Sequence, residues 1–265
     1  MYHLERREFD QVLAHYDGQF RNLGSALTQA MPDLYIDVQN AASMLFRLQR
    51  HGVDVGDRWT EFADKAEARI GDCLSAFTLP HWMMALAATG RFQAGARMLD
   101  AMHDFASRNA GTAAEIVRES GIPVCQAVLA HARGDHAGAV ALMRPALGAM
   151  YRMGGSHAQQ DVLEQLFLDA AMKAGLEDDV RMLLERVAGQ HPVPPERRIG
   201  QAAYRRVLGE HIEVLLVGGE AQCAHALAHP CAHEGLLLGR ERDATRGVHD
   251  LAEPIERRRI HLTRS

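Results

Sequence analysis

The sequence predicts an all-α protein, an α-α superhelix built from stacked helix pairs. Hydrophobic residues make up 47% of the 265 residues, and aromatic residues only 6%. Alanine, leucine, arginine and glutamate dominate the chain, and these residues lose little free energy on entering a helix, whereas β-branched runs are nearly absent. The third observation is a repeat of about 40 residues, a period typical of helix pairs that stack side by side.

The repeat is marked by glycines that end apolar helical stretches. The markers are Gly52, Gly90, Gly134 and Gly175, and Arg7 takes the equivalent place near the start. Successive markers are 45, 38, 44 and 41 residues apart. Each interval is long enough for two helices and their turns, so each marker is expected to separate the two helices of one pair.

The second helix of each predicted pair repeats a pattern of residue sizes. Small or apolar residues five positions after a marker would let two helices approach closely, and larger residues nine positions after it would fill the space between repeats. The former are Val12, Gly95, Ala139 and Val180, and the latter are Tyr16, Leu99, Met143 and Leu184. The unit after Gly52 fits poorly, with Asp57 and Glu61 at these offsets. It is either a diverged pair or a linker helix.

A polar turn at residues 153–161 opens into an apolar helix and is the main candidate for chemistry. Ser156 and Gln159 form a capping-box pattern, which accounts for both of them structurally. His157 and Asp161 are four residues apart and share one helix face, where the carboxylate can orient the imidazole. Two interpretations stay open: the turn serves capping and packing alone, or it also holds a ligand or a catalytic centre.

Three further positions on predicted helices are candidate site residues. His81 stands in an apolar helix and is interpreted as a hydrogen-bonded core residue, the alternative being that it assists His157. Asn40 and Arg47 share one helix face, and Arg47 faces either the concave groove or solvent at the helix end. Together with Ser156, these two residues are the candidate ligand-binding set.

Composition excludes several classes of partner. The net charge of −5, with interspersed signs, argues against a nucleic-acid footprint. No run of 18 apolar residues and no signal-type stretch occurs, so we expect a cytoplasmic protein that does not bind membranes. No cofactor fingerprint is present, and we expect no cofactor and no bound metal. The cysteines form no CxxC pair and are predicted to be free, packed thiols: Cys73, Cys125, Cys223 and Cys231.

Five separate blocks within residues 1–208 carry a family resemblance. They are NAASMLFRL at 40–48, HGVDVGDRW at 51–59, HWMMA at 81–85, PVCQA at 123–127 and GGSHAQQD at 154–161. In this order they resemble the tetratricopeptide repeat protein 38 family. The resemblance implies a tetratricopeptide-like α-solenoid over residues 1–208, with Pro192 at the place of the helix-ending proline of a repeat. It implies no established reaction.

The amino end departs from that family. Only six residues precede Arg7, whereas the first helix of a tetratricopeptide repeat needs about fourteen residues before its turn. We expect either an N-terminal fragment or a start assigned to an internal methionine. The incomplete first pair would expose an apolar face, and self-association through that face is the expected consequence.

The carboxyl end, residues 209–265, is predicted to be a divergent, poorly ordered tail. It holds six of the 15 histidines and two of the four cysteines. Imidazole and thiolate donors cluster there, but their spacing fits no closed zinc pattern and Pro230 interrupts a helical arrangement of the histidines. The chain has only two lysines among 29 basic residues, which is typical of GC-rich coding DNA. The tail is either a frameshift product or a genuine extension.

Two functions compete. A stacked-repeat scaffold would bind a protein or peptide partner in its concave groove, which requires a groove lined by repeat-equivalent residues of the first helices. The alternative is a hydrolase-type enzyme in that groove, with His157 as general base, Asp161 orienting it and His81 assisting. The alternative requires these three side chains around one enclosed polar pocket, and no GxSxG, HExxH or phosphate-binding glycine motif supports it.

Overall fold

The computed structural model describes residues 2–21, 26–31 and 34–188. These residues form helices joined by short turns and contain no strand, which confirms the all-α prediction. No helix among them is both long and apolar enough to cross a membrane. The α-helices are α1 (Tyr2–Glu5), α2 (Phe9–His15), α3 (Ala26–Ala30), α4 (Tyr35–Arg50), α5 (Arg58–Ala68), α6 (Thr78–Ala88), α7 (Phe92–Arg108), α8 (Thr112–Ile116), α9 (Ile122–Ala132), α10 (His136–Met143), α11 (His157–Ala174) and α12 (Glu177–Ala188). Tyr16–Phe20 and Val117–Gly121 are π-helical turns, and Arg144–Ala146 and Met150–Met153 are 3-10 turns.

The predicted repeat markers all stand where a first helix ends. Gly52, Gly90, Gly134 and Gly175 follow α4, α6, α9 and α11, with φ angles of 77°, 70°, 83° and 69°. Glycine adopts this left-handed conformation without steric cost and so ends a helix cleanly. Arg7, between α1 and α2, has a φ of 58° and is the only non-glycine with positive φ in the described part of the chain. Arg7 therefore has the same backbone conformation between α1 and α2 as the marker glycines have between the later helices.

Each marker separates two helices that pack together. The pairs are α1 with α2, α4 with α5, α6 with α7, α9 with α10, and α11 with α12. The second helix of a pair also contacts the first helix of the next pair, as α5 does with α6, α7 with α9, and α10 with α11. Neighbouring pairs therefore bury one continuous apolar core.

The packing of α7 agrees with the predicted size pattern at Gly95. A Cβ atom on Gly95 would lie 2.9 Å from Cδ2 of Leu129 and 3.1 Å from Sδ of Met83, so glycine lets α7 lie close to α6 and α9. The pair after Gly52 is a genuine helix pair with a longer connection, since α5 begins six residues after Gly52 and α7 only two after Gly90. The shift does not restore the size pattern, because Glu61 and Lys65 stand at the places in α5 where α7 holds Gly95 and Leu99.

The prediction of free, packed cysteines is confirmed where the structure describes them. The two described cysteines, Cys73 and Cys125, are buried and form no disulfide. Pro192, Cys223, Cys231 and the tail 209–265 lie outside the described residues, so the predictions made for them stay predictions.

The first helices of four pairs contact one another in a cycle. α4 packs on α6, α6 on α9, α9 on α11, and α11 returns to α4. The contact between α4 and α11 joins segments more than 100 residues apart in sequence. We call these four helices the first-helix ring.

Candidate binding groove

A polar seam joins α4 to α11 inside the first-helix ring. The Arg47 side chain is only 4% exposed, and its Nη2 donates to the Ala158 carbonyl oxygen at 3.2 Å and to Oδ2 of Asp161 at 3.1 Å. Its Nη1 donates to the hydroxyl and the carbonyl oxygen of Ser43. Asp161 Oδ2 also accepts from Nε2 of Gln165 at 2.5 Å. Arg47 therefore points into the ring, and the sequence alternative of a solvated helix end does not hold.

A groove of about 320 Å³ lies between the carboxyl-terminal ends of the four ring helices. Most of its lining residues occupy three repeat positions, namely six, three and two residues before the helix-ending glycines. The first position supplies Phe46, Met84, Val128 and Asp169, the second Gln49, Ala87 and His131, and the third Arg50, Ala88, Ala132 and Lys173, while Trp59 and Leu166 complete the lining. We call this site the groove. Most of its lining thus comes from equivalent positions of successive repeats, as a binding scaffold would require.

One wall of the groove carries a cluster of charged side chains. Asp169 Oδ2 accepts from Nε2 of His131 at 2.6 Å and from Nζ of Lys173 at 2.7 Å, and Oδ1 lies 3.7 Å from Nε of Arg50. Burial raises the pKa of Asp169, but the hydrogen bonds and charges of His131 and Lys173 outweigh it and lower that pKa to about 2. Because two permanent cations face one carboxylate, the wall has an excess of positive charge.

A second imidazole stands beside this cluster. The rings of His131 and His136 meet edge to face, with their centroids 5.0 Å apart. Burial, the His131 ring and the Lys173 cation all lower the pKa of His136, so its ring is neutral at pH 7. Its Nδ1 is buried and has no hydrogen-bond partner among the described residues.

A separate cavity of about 440 Å³ lies at the other end of the ring, against the first helix pair. It is bounded by α1, α2, the middle of α4 and the first turn of α11. Its lining residues are Tyr2, His3, Leu4, Val12, His15, Tyr16, Asn40, Ser43, Met44, Arg47, Ala158 and Gln159. We call it the N-terminal cavity. It brings together Asn40 and Arg47, which the sequence analysis had grouped as ligand-binding candidates.

The polar turn before α11 forms the capping box that its sequence predicts. The Gln159 amide donates to Oγ of Ser156 at 3.3 Å, and the Ser156 amide donates to Oε1 of Gln159 at 2.9 Å. Gln159 also reaches α4, where its Nε2 donates to Oδ1 of Asn40 at 3.3 Å. Ser156 is thus a capping residue, and His157 is the first residue of α11, with an exposed side chain.

His81 is a fully buried core residue. Its Nδ1–H donates to the Phe77 carbonyl oxygen at 2.8 Å, and Nε2 has no partner among the described residues. Burial lowers the pKa of His81 to about 4, and the positive charge of Arg47 adds to this effect. Neither His81 nor His157 lines the groove or the N-terminal cavity. One imidazole is exposed and the other is enclosed, so the geometry adds no support to the hydrolase alternative.

Sequence reasoning missed the charged wall of the groove. His131, Asp169 and Lys173 were not candidates, because no local motif marks them. A signal was nevertheless present: counting back from each helix-ending glycine places all three on the positions that line the groove. The repeat spacing, rather than the polar turn, was the guide to this site.

No group of three or more histidine, cysteine, aspartate or glutamate side chains is arranged to hold a metal ion within the described ranges.

The comparisons with known proteins do not assign the chain to a family. No protein-family model matches the chain. No solved structure matches it either. The tetratricopeptide resemblance therefore continues to depend on the five sequence blocks and the repeat spacing.

Proposed function

We propose that the protein is a tetratricopeptide-like scaffold that binds a peptide segment of a partner protein in the groove. The observation that carries this proposal is the lining of the groove by equivalent positions of successive repeats, two of them in all four repeats and one in three. A stack of helix pairs creates such a surface through its architecture, and no catalytic group is needed for binding.

The groove fits a large apolar side chain next to an acidic one. Phe46, Trp59 and Met84 supply apolar surface, and Nε1 of Trp59 donates to Oε1 of Gln49 at 2.8 Å, which fixes the orientation of the indole. The Lys173 side chain is 50% exposed and can still reach an incoming carboxylate. A volume of about 320 Å³ is near the lower limit of ligand sites, so it holds a few side chains rather than a folded domain.

An array of short peptides tests this proposal. Each peptide carries Leu, Phe or Trp beside Asp or Glu, and a matched peptide carries Asn or Gln in place of the acid. Two variants change the groove at exposed positions: Ala88→Gln narrows it, and Lys173→Glu reverses its charge. Ala137→Gln and Arg108→Glu make the same changes at exposed positions outside the groove lining, and Arg108, like Lys173, pairs with an aspartate one turn earlier.

The proposal predicts that the acidic peptides bind about tenfold more tightly than their amide counterparts, equivalent to about 1.4 kcal/mol. Ala88→Gln and Lys173→Glu should weaken binding, and both control variants should bind as the wild type does. Equal binding of acidic and amide peptides would contradict the assigned chemistry. Binding that survives both groove variants would place the peptide site elsewhere.

A further inference from the structure

The N-terminal cavity differs from the groove in chemistry as well as in place. The two sites share no lining residue, and the N-terminal cavity is the larger. Most of its surface is apolar, formed by residues such as Leu4, Val12 and Met44. Among the described residues that line it, none is acidic and Arg47 is a permanent cation. This lining suits a molecule with an apolar body and a negative end.

Arg47 is a buried cation whose charge is incompletely compensated. Its side chain is buried, and its Nε has no hydrogen-bond partner among the described residues. Burial lowers the pKa of Arg47, and the pairing with Asp161 together with the charge of Glu5 does not restore it. The Asp161 carboxylate is also shared with Gln165. A second anion beside Arg47 would offset the remaining cost of burying the charge.

The amino end of α11 favours negative charge in the same place. Ala158 and Gln159 belong to the first turn of α11, an 18-residue helix whose amino end carries a partial positive charge. The helix terminus alone would not define a site, but here it adjoins the buried guanidinium of Arg47.

We propose that the N-terminal cavity binds a small organic monocarboxylate with an apolar body, whose carboxylate pairs with Arg47. The apolar body lies against Leu4, Val12 and Met44. A volume of about 440 Å³ is sufficient for a medium-chain aliphatic acid or a single-ring aromatic acid. This site is independent of peptide binding in the groove, and either function can fail without the other.

Ligand-observed NMR with the full chain tests the proposal. The probes are hexanoate, octanoate and phenylacetate, each beside its neutral amide. Met44→Trp fills the cavity from a partly buried position, and Met182→Trp is the same change on α12, away from the cavity. A double variant, Arg47→Gln with Asp161→Asn, removes both charges of the seam together, so that neither is left buried without its partner.

At least one carboxylate should bind the wild type about tenfold more tightly than its amide. Met44→Trp should abolish this binding and Met182→Trp should leave it unchanged. The double variant should bind carboxylate and amide equally, and if it does not fold, Met44→Trp alone decides the result. The proposal is overturned if no carboxylate binds, if amides bind equally well to the wild type, or if Met44→Trp binds normally. It is also overturned if sedimentation shows a second copy of the chain occupying this face and excluding the probes.

Discussion

The contact between α4 and α11 closes the first-helix ring, and a double-mutant cycle on Arg47 and Asp161 tests it. At 3.1 Å and an effective dielectric constant of about 20, the two charges attract each other by about 5 kcal/mol before desolvation is subtracted. The Asp161 side chain is only 15% exposed, and Arg47→Met leaves its buried carboxylate without a cation. We expect this change to cost about 3 kcal/mol of unfolding free energy, and Asp161→Asn a similar amount.

Because each single change already loses the shared interaction, the double variant should cost less than the sum of the two. We expect a coupling of about 2 kcal/mol, measured by urea unfolding of the four proteins at pH 7. The control cycle uses Asp104 and Arg108, an exposed pair on α7, where the coupling should stay below about 0.5 kcal/mol. Additive effects at Arg47 and Asp161, within about 0.5 kcal/mol, would refute the contact between these helices.

Three more predictions concern other parts of the fold. The pKa of His81 is about 4 in the folded protein and 6.5 ordinarily, so the unfolded chain binds the proton first as the pH falls. The stability that this residue contributes is therefore complete above about pH 6.5 and is lost towards pH 4. Urea unfolding should show that the unfolding free energy falls by about 2 kcal/mol between pH 7 and pH 5. His81→Leu should remove this share of the pH dependence. Ser156→Ala should lower the unfolding free energy by about 1 kcal/mol because it removes the capping hydroxyl. His157→Ala changes an exposed position and should alter the unfolding free energy by less than about 0.5 kcal/mol. Equal losses of stability in thermal unfolding would contradict the assigned roles. Arg7→Gly should stabilise the protein by about 0.5 to 1 kcal/mol because it relieves a left-handed backbone conformation, and a lower melting temperature would argue against that conformation.

The elements that depend on local sequence were predictable. Glycine alone adopts the left-handed conformation at no cost, so the glycine spacing placed the ends of α4, α6, α9 and α11 correctly. The capping box at Ser156 is equally local, since its two partners are three residues apart. Arg7 was identifiable only because the repeat spacing required a marker at its position.

The candidate sites depend on contacts that no local pattern encodes. Arg47 meets Asp161 across 114 residues, and His131 meets Asp169 across 38. A sequence window around Asp161 instead suggested His157 as its partner, since the two share a helix face. The contact between α4 and α11 brings Arg47 to that carboxylate. Repeat spacing alone does not determine whether these two helices of the first-helix ring meet.

Methionine methyl NMR tests the proposed binding site most directly, because the chain has a reporter in each region. Met84 lines the groove, Met44 lines the N-terminal cavity, and Met98 is buried in α7. Addition of an acidic peptide selected on the array should shift the Met84 methyl signal saturably and leave Met44 and Met98 unchanged. A peptide that binds without shifting Met84, or that shifts Met44 instead, would contradict binding in the groove.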